Sequence, residues 1–440
     1  MVHTFGLADR LFALDTESGS FFEIDAVVKA LLDGDDMSPF SSCEISEAKA
    51  EIARLTDEGI LFAPPLEATL PPYTPVIKAM CLNVSHNCNL ACAYCFADGG
   101  TYNDERRNMS FETAKAAIDM LVERSGKRRN LEVDFFGGEP MLDFDVVKKT
   151  VLYARSLEKD RNKNFRFTIT TNAYKLCDED IEFFNEQMYN VVISIDGRKC
   201  VHDSVRKTVG GQATHDVVLK NALRFKKLRK GQYYVRGTFT RQNLDFCKDV
   251  LYLNDMGFDQ ISIEPVVLDA SHPLSIRDED IPVILEEYEK FALEYIARRK
   301  TDKWFNFFHF MTDMDHAPCA AKRLKGCGAG GEYVAVAPDG SIYPCHQFDG
   351  IASTKLGTVF GGELAESERQ KFYNCSVPTK SECSACWAKY YCSGGCMANS
   401  YKFNGDINIP YKPACELMKK RVECALAIKA IESADAESDK

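Results

Sequence analysis

Cysteines whose spacing could hold a metal centre dominate the chemistry that this sequence offers. Three of them, Cys88, Cys92 and Cys95, fall within the short stretch CNLACAYC. A structural zinc site usually takes four protein ligands that arrive as two close pairs, and the nearby Cys81 lies within a predicted strand. A lone triplet instead suits a [4Fe–4S] cluster in which three irons carry thiolates and one stays open. An open iron is typical of a catalytic centre, and its remaining ligand would be a substrate or a cofactor.

A second group of cysteines lies near the C-terminus, in loops rich in glycine. Seven cysteines form a spaced pattern around Gly340: Cys327, Cys345, Cys383, Cys386, Cys392, Cys396 and Cys415. Spacing alone does not separate a zinc knot from iron–sulfur clusters, but the triplet in the same chain favours clusters. Most of the scattered cysteines are predicted to be small buried hydrophobic residues. These are Cys43, Cys81, Cys177, Cys200, Cys247, Cys375 and Cys424.

The bulk composition excludes several functional classes. The chain has 440 residues, 18 cysteines and a formal net charge of −11, and its pI of about 5.4 argues against binding to the phosphates of nucleic acids. No apolar run approaches the roughly 18 residues that a membrane span needs, and the N-terminus shows no signal pattern. We therefore expect a cytoplasmic protein, in which clustered cysteines bind metal rather than form disulfides.

Composition shifts divide the chain into five predicted segments. A proline-rich stretch ends an N-terminal module, in which a turn at residues 15–19 predicts a hairpin followed by two helices, the second capped at Ser46. Farther on, strands and helices alternate until a cysteine-rich region begins. The segments are an N-terminal module at 1–62, a linker at 63–75, a strand–helix domain at 76–310, a cysteine-rich domain at 311–424 and a polar tail at 425–440.

The alternating domain must position the cysteine triplet. Its candidate strands are VIKAMCLNV, LEVDFF, FRFTITT, VVISID, YYVRGTFT and QISIEPVV, with amphipathic helices between them. Such units predict an α/β fold with a parallel sheet, curled as a partial barrel or open. In either form the chemistry belongs in loops at the C-terminal ends of the strands, and CNLACAYC directly follows the first strand.

Polar residues end the next three strands and could bind a cofactor. Glycines permit close backbone approach, and a carboxylate beside them pairs with an ammonium group. Hydroxyl and carboxylate groups at the following strand ends suit a ribose, although each taken singly is also a common strand-end or turn residue. The residues are Gly137, Gly138, Glu139, Thr171, Asn172, Ser194 and Asp196.

These motifs resemble those of radical S-adenosylmethionine enzymes, in which a CxxxCxxC loop follows the first strand of a partial (β/α)6 barrel. The resemblance implies that S-adenosylmethionine chelates the open iron through its amino and carboxylate groups. One electron from the cluster then gives a 5′-deoxyadenosyl radical. It further implies that the main chain of Tyr94 contacts the adenine, that Glu139 holds the amino group and that Arg206 meets the carboxylate.

The C-terminal pattern resembles the SPASM domain, which carries two auxiliary [4Fe–4S] clusters and would bring the total to three. The resemblance assigns Cys327, Cys345 and Cys396 to the first auxiliary cluster, with Cys319 as its candidate fourth ligand. It assigns Cys383, Cys386, Cys392 and Cys415 to the second. His346 stands where related sulfatase-maturing enzymes have an aspartate base, which argues against formylglycine formation.

The N-terminal module resembles winged-helix-like peptide-recognition domains, whose edge strand binds a leader peptide by strand addition. Over residues 1–424 the chain resembles maturases of six-cysteine (SCIFF) peptides, which join a cysteine sulfur to a carbon of another residue. This implies a cysteine-rich precursor peptide as substrate and a ferredoxin or flavodoxin as reductant. The first auxiliary cluster would hold the peptide thiolate at an exchangeable iron, so the sequence leaves open whether Cys319 is a permanent ligand.

Other functions remain open at this point. One is another SPASM-type reaction on a peptide or protein, such as oxidation, epimerisation or carbon–carbon linkage, and a second is a three-cluster electron carrier. The N-terminal module could be a stabilising appendage or a winged helix on nucleic acid, although its acidic residues disfavour the latter. A GxGxxG match at residues 326–331 is rejected as a dinucleotide site, because a strand follows it where a helix is required.

Overall fold

The computed structural model of the chain describes residues 1–102, 104–311 and 323–438. Cys319 lies outside these residues. The strands are β1 Val2–Leu7, β2 Arg10–Asp15, β3 Phe21–Ile24, β4 Ala79–Ser85, β5 Asn130–Gly137, β6 Asn164–Thr171, β7 Asn190–Ser194, β8 Gln232–Phe239, β9 Gln260–Pro265, β10 Asn306–Phe307, β11 Tyr333–Val336, β12 Ser341–Tyr343 and β13 Gly357–Thr358. The helices are α1 Ala26–Asp33, α2 Ser42–Asp57, α3 Phe111–Arg124, α4 Phe144–Arg161, α5 Asp178–Gln187, α6 Lys199–Val205, α7 His215–Leu228, α8 Phe246–Asp255, α9 Ile281–Arg299, α10 Glu366–Asn374, α11 Ser381–Ser384, α12 Lys389–Cys392, α13 Met397–Asn404 and α14 Lys412–Ser438.

A large mixed sheet forms the centre of the molecule. Its strand order is β10-β9-β8-β7-β6-β5-β4-β11-β12-β13. Strands β4 to β10 are all parallel, and β11 is parallel to β4, whereas β12 and β13 continue the sheet in antiparallel fashion. The predicted α/β fold is confirmed, with its parallel strands in the expected chain order.

The two faces of the parallel strands differ in burial. On β8, Val235 and Phe239 are fully buried, whereas Tyr234, Arg236 and Thr238 between them are half-buried or exposed. Since successive side chains of a strand point to opposite faces, one face of the sheet packs against helices and the other lines an open interior. We call this inner space the lumen.

The N-terminal residues form a separate three-stranded antiparallel sheet in the order β1-β2-β3. Its β2–β3 hairpin confirms the sequence prediction, but β1 was not predicted. The predicted cap at Ser46 is wrong, because α2 begins earlier with Ser41 as its N-cap. The Ser41 hydroxyl accepts from the Glu44 amide, and the Glu44 side chain accepts from the Ser41 amide, so this capping box fixes the helix start.

The cysteine-rich region is continuous with the barrel sheet. Strand β11 adds to β4 in parallel register, with Tyr333 opposite Ala79. The predicted polar tail at 425–440 is wrong, because α14 runs through Ser438. Leu426 and Ala427 of this helix are fully buried in the main hydrophobic core, which also contains residues of α9.

A buried ionic contact fastens the N-terminal sheet to the cysteine-rich region. The Glu17 carboxylate accepts hydrogen bonds from Lys389 Nζ at 2.5 Å and from the Tyr390 hydroxyl at 3.1 Å. His3 stacks on Trp387 with ring centroids 3.8 Å apart. The partner residues lie between Cys386 and Cys392, so the sheet packs on one of the cysteine-bearing segments.

Across the three described ranges, no helix combines the length and the apolar character that a membrane crossing demands.

We predict that Glu17→Gln loosens the N-terminal sheet. Only 4% of the Glu17 side chain and 12% of the Lys389 side chain are exposed, and removing one partner of a buried pair costs about 3 kcal/mol. Backbone amides of β1 and β2 should therefore exchange with deuterium about 100-fold faster. The matched control is Glu23→Gln, which removes a more exposed pair with Arg10 in the same sheet and should change exchange by less than about threefold. Equal exchange in the two variants would contradict the anchoring role.

Candidate functional site

The cysteine loop is clamped against the end of β5. The amide of Gly138 donates to the Ser85 carbonyl at 2.8 Å, and the amide of Glu139 donates to the Asn87 carbonyl at 2.9 Å. Gly137 has a φ of 124°, and a Cβ there would lie 2.5 Å from the Ser85 oxygen. A Cβ on Gly138 would fall on the Asn87 carbonyl. Both glycines are therefore required by the contact between the two segments of chain.

The other side of the loop is held by the chain around Arg206. The Ala91 amide donates to the Lys207 carbonyl and the Ala93 amide to the Val205 carbonyl, each at 2.8 Å. This backbone pairing places the loop that carries Cys92 directly beside Arg206.

Glu139 is a buried carboxylate at the centre of the strand ends. It accepts hydrogen bonds from the Thr171 hydroxyl and from the Asn172 amide, both at 2.7 Å. Burial raises the pKa of Glu139 against the effect of these hydrogen bonds. The Asn172 side chain reaches the cysteine loop, donating to Asn89 Oδ1 at 2.8 Å. A cationic group placed here would favour the charged form of Glu139.

Asp196 joins two other predicted residues into one cluster. Its Oδ2 accepts from the Tyr94 hydroxyl at 2.6 Å and from Arg206 Nε at 2.9 Å. The Arg206 guanidinium also lies over the Tyr94 ring, 5.4 Å from its centroid. Among the described residues the terminal nitrogens of Arg206 make no further hydrogen bond, so they remain available to an anion. Ser194, half-buried at the end of β7, likewise has an unused hydroxyl within the described part of the chain.

The three thiols of the loop form one electrostatic group. Burial and the neighbouring Glu139 raise the pKa of Cys88 to about 12, and the thiols of Cys92 and Cys95 add to the shift. Burial raises the pKa of Cys92 to about 11. Thiols with pKa values as high as those of Cys88 and Cys92 would stay protonated on their own, whereas a bound metal deprotonates a coordinating thiol. This donor set fits a cationic cluster.

The C-terminal cysteines separate into two further groups. In the first, the thiols of Cys327 and Cys396 raise the pKa of Cys345, which burial takes to about 12. In the second, burial raises the pKa of Cys383 and of Cys415 to about 11 and also raises the pKa of Cys392, and the neighbouring thiols of the group, Cys386 among them, add to each shift. The assignment of these two groups to two clusters stays a prediction, and Cys319 lies outside the described residues.

The thiols of each group do not converge on a single metal position within the described residues. Within the described ranges no three His, Cys, Asp or Glu side chains converge closely enough to hold one metal ion. Four thiolates on a single zinc, each about 2.3 Å from the metal, would stand only about 3.8 Å apart. Thiolates that each bind a different iron of one cluster are spaced more widely than those on a single zinc.

The scattered cysteines divide by burial. Four of them are buried, as predicted for small hydrophobic residues: Cys81, Cys247, Cys375 and Cys424. The prediction that most of the seven are buried is therefore confirmed, and the other three lie exposed on helices or at a helix end: Cys43, Cys177 and Cys200. The GxGxxG match at residues 326–331 is a turn followed by β11, so its rejection is confirmed.

One part of the site was missed in the sequence. Asp349, from the turn after Cys345, accepts from Asn83 Nδ2 at 2.6 Å and contacts His86 Nε2 at 3.0 Å, and all three side chains are buried. This network connects the base of the first cysteine loop to a loop of the cysteine-rich region. His86 and Asp349 are 263 positions apart, so no local pattern could have revealed the contact.

His346 lies against the same region. Its ring is 5.0 Å from that of Phe136 on the lumen face of β5 and 5.7 Å from that of Phe96 in the cysteine loop. The His346 ring therefore lies against aromatic side chains, next to the loop that carries Cys88, Cys92 and Cys95.

Part of this chain is similar to a known protein superfamily. Residues 82–244 match the family model of the Radical SAM superfamily. An uncharacterized protein of Methanocaldococcus jannaschii is 31% identical over 43% of this chain, which covers 62% of that relative's length. The cysteine-type anaerobic sulfatase-maturating enzyme of Clostridium novyi is 24% identical over 72% of this chain and 86% of its own.

Two solved structures share the fold. The native sulfatase-maturating enzyme anSMEcpe with bound AdoMet superposes with a TM-score of 0.67 and 20% identity, covering 82% of this chain and 99% of its own. Streptococcus suis SuiB bound to its precursor peptide SuiA superposes with a TM-score of 0.54 and 18% identity, covering 90% and 94%.

We predict that Gly138→Ala displaces the cysteine loop. The added methyl overlaps the Asn87 carbonyl, and such overpacking costs about 1–3 kcal/mol. Amides of residues 86–95 should exchange with deuterium at least about tenfold faster than in the unaltered chain. Gly210→Ala is the control, since its new methyl would meet only Thr208 Oγ1 at 3.8 Å. Unchanged exchange in Gly138→Ala would show that the clamp is not tight.

Proposed function

We propose that this chain, whose radical SAM domain relates it to anaerobic sulfatase-maturating enzymes and to other peptide-modifying enzymes, is a peptide maturase. In this proposal it forms thioether bonds between cysteines and other residues of a ribosomally made, cysteine-rich precursor peptide. The observation that carries the proposal is the combination in one chain of the loop triplet, two further thiol groups and an N-terminal sheet with an open edge. A reduced loop cluster would donate one electron to bound S-adenosylmethionine, and the cleaved cofactor would then supply the abstraction of a hydrogen atom from the peptide.

The residues around the triplet would hold the cofactor in a fixed orientation. The Glu139 carboxylate is set by Thr171 and Asn172 and would accept the amino group, which offsets the cost of its burial. Arg206 is fixed through Nε by Asp196, so its terminal nitrogens would meet the cofactor carboxylate. Tyr94 is fixed by the same aspartate, and its main chain would meet the adenine. The unused hydroxyl of Ser194 would face the ribose.

The N-terminal sheet would recognise the leader of the precursor. Strand β3 pairs only with β2 among the described strands, so its outer edge is free to add a strand. Main-chain hydrogen bonds would then supply most of the affinity. Because Glu17 and His3 anchor this sheet on the segment between Cys386 and Cys392, a bound leader would lie at a fixed position relative to the cysteine-rich region.

The group of Cys327, Cys345 and Cys396 would receive the peptide thiol. The described residues supply these three thiols of the first C-terminal group. A peptide thiolate would bind a further iron of its cluster in place of Cys319. Each new C–S bond replaces one C–H bond and one S–H bond, so the peptide loses two hydrogens per bridge. One hydrogen atom would go to the 5′-deoxyadenosyl group of the cofactor, and the thiol hydrogen would leave as a proton while its electron passed to the iron–sulfur cluster. The Cys383 group, with four chain ligands, would serve structure or electron passage.

We predict that replacing Cys88, Cys92 and Cys95 by alanine abolishes release of 5′-deoxyadenosine. Bound iron in anaerobically purified protein should fall from about twelve to about eight atoms per chain, with sulfide falling in parallel. The matched control replaces the three exposed cysteines Cys43, Cys177 and Cys200, and it should keep both the iron and the cofactor cleavage. Stoichiometric zinc in the unaltered protein would overturn the cluster assignment, and iron without cofactor cleavage would favour the electron carrier.

The substrate is tested with the peptide encoded beside this gene. A short product with about six cysteines near its C-terminus, a number taken from the family resemblance, is incubated with the chain, a reductant and S-adenosylmethionine. We expect its mass to fall by two hydrogens per bridge. Full release of 5′-deoxyadenosine with an unchanged mass would contradict thioether formation and favour epimerisation, which leaves the mass unaltered.

A further inference from the structure

Arg236 is a charged side chain in the lumen that the cofactor site does not use. It lies on β8, where the parallel register places it between Ser194 of β7 and Ser262 of β9. Its side chain belongs to the exposed positions of the strand, on the face that lines the lumen. Arg236 therefore stands beside Ser194, one of the predicted cofactor contacts.

No group in the described part of the chain pairs with this guanidinium by a hydrogen bond or an ion pair. The neighbouring carboxylate is Glu264 of β9, which already has two other partners. It pairs with Arg421 of α14 at 2.9 Å and with His309 at 3.3 Å. Arg421 is further fixed by the Tyr288 hydroxyl at 2.7 Å.

The charges of this cluster do not balance. Burial opposes ionisation of Glu264, yet neighbouring groups, among them Arg421 and Arg236, lower the pKa of Glu264 to about 2, so it is an anion at neutral pH. Burial lowers the pKa of His309 to about 3, so this imidazole is neutral. Among the residues that the structure describes, two arginines thus face one carboxylate, and Arg236 carries the surplus positive charge.

We propose that Arg236 binds a carboxylate group of the peptide substrate and so positions the peptide beside the cofactor site. The proposal rests on the proposed function, because it takes the ligand to be a peptide. A planar guanidinium matches a carboxylate with two parallel hydrogen bonds, a geometry that a neutral amide does not reproduce. The carboxylate is either an acidic side chain or the C-terminus of the peptide.

The cofactor carboxylate is a less suitable partner for this residue. The terminal nitrogens of Arg206 are available for it on the side of the loop that carries Cys92. Arg236 instead lies near Glu264 and beside Ser262, whose hydroxyl is 3.1 Å from His309 Nε2.

The test measures binding of three small peptides to the cluster-loaded chain with S-adenosylmethionine present. The probes are acetyl-Gly-Asp-Gly-amide, acetyl-Gly-Asn-Gly-amide and acetyl-Gly-Asn-Gly with a free C-terminal carboxylate. Titration followed by NMR of the acetyl methyl gives the dissociation constants, and broadening by the paramagnetic clusters reports that the peptide is bound near them. Binding is compared in the unaltered chain, Arg236→Gln, Arg236→Lys and Arg166→Gln.

We expect at least one carboxylate peptide to bind the unaltered chain about tenfold or more tightly than the neutral peptide. Arg236→Gln should abolish this preference, and Arg236→Lys should keep part of it. Arg166→Gln should leave it intact, because Arg166 lies near the amino end of β6 and stacks on Tyr189. Tighter binding of the aspartate peptide identifies a side chain as the ligand, and tighter binding of the free acid identifies the C-terminus.

Two results would overturn the proposal: equal or unmeasurable binding of the three peptides to the unaltered chain, or a carboxylate preference that survives Arg236→Gln. The outcome is separate from the test of thioether formation. A precursor whose mass does not fall would reject the reaction while the Arg236-dependent preference persisted, and a precursor that lost hydrogens without this preference would reject only the role of Arg236.

Discussion

The close backbone contact between the cysteine loop and the end of β5 is the constraint on which the site depends. The amides of Gly138 and Glu139 bond to the loop, and neither glycine has room for a side chain. The same contact turns the Glu139 carboxylate toward Thr171 and Asn172 of the next strand. One packed junction therefore sets both the position of the thiols and the position of the carboxylate, so the metal site and the cofactor site cannot move independently.

The rest of the molecule extends this rigid junction in two directions. Strand β11 continues the barrel sheet, and Asp349 beyond it bonds to Asn83 and His86 at the base of the cysteine loop. In the other direction, Glu17 holds the N-terminal sheet on the segment before Cys392. The three thiol groups and the open sheet edge are thereby parts of one connected framework. A long peptide held at that edge would reach the barrel by a path of fixed length.

The sequence predicted those features that rest on local spacing. The strand–helix alternation predicted the parallel sheet, and the position of CNLACAYC after the first strand placed it at the carboxyl edge. Contacts between distant segments could not be predicted from the sequence. The network of Asp349, the burial of Leu426 in α14 and the stacking of His3 on Trp387 depend on how separate elements pack. The helix cap is a local feature, and the capping box of Ser41 and Glu44 precedes the predicted cap at Ser46 by five positions.

The lumen follows from the alternation of side chains along the parallel strands. Because helices cover one face, the strands must place large apolar residues outward, as Val235 and Phe239 show, and are free to place polar ones inward. Polar residues inside such a space have to be paired or meet a ligand, since a lone charge away from bulk water is costly. Glu264 and Arg421 satisfy each other in this way. Arg236 has no such partner in the described part of the chain, and its exposed position between Ser194 and Ser262 leaves its guanidinium accessible to a substrate that enters the lumen.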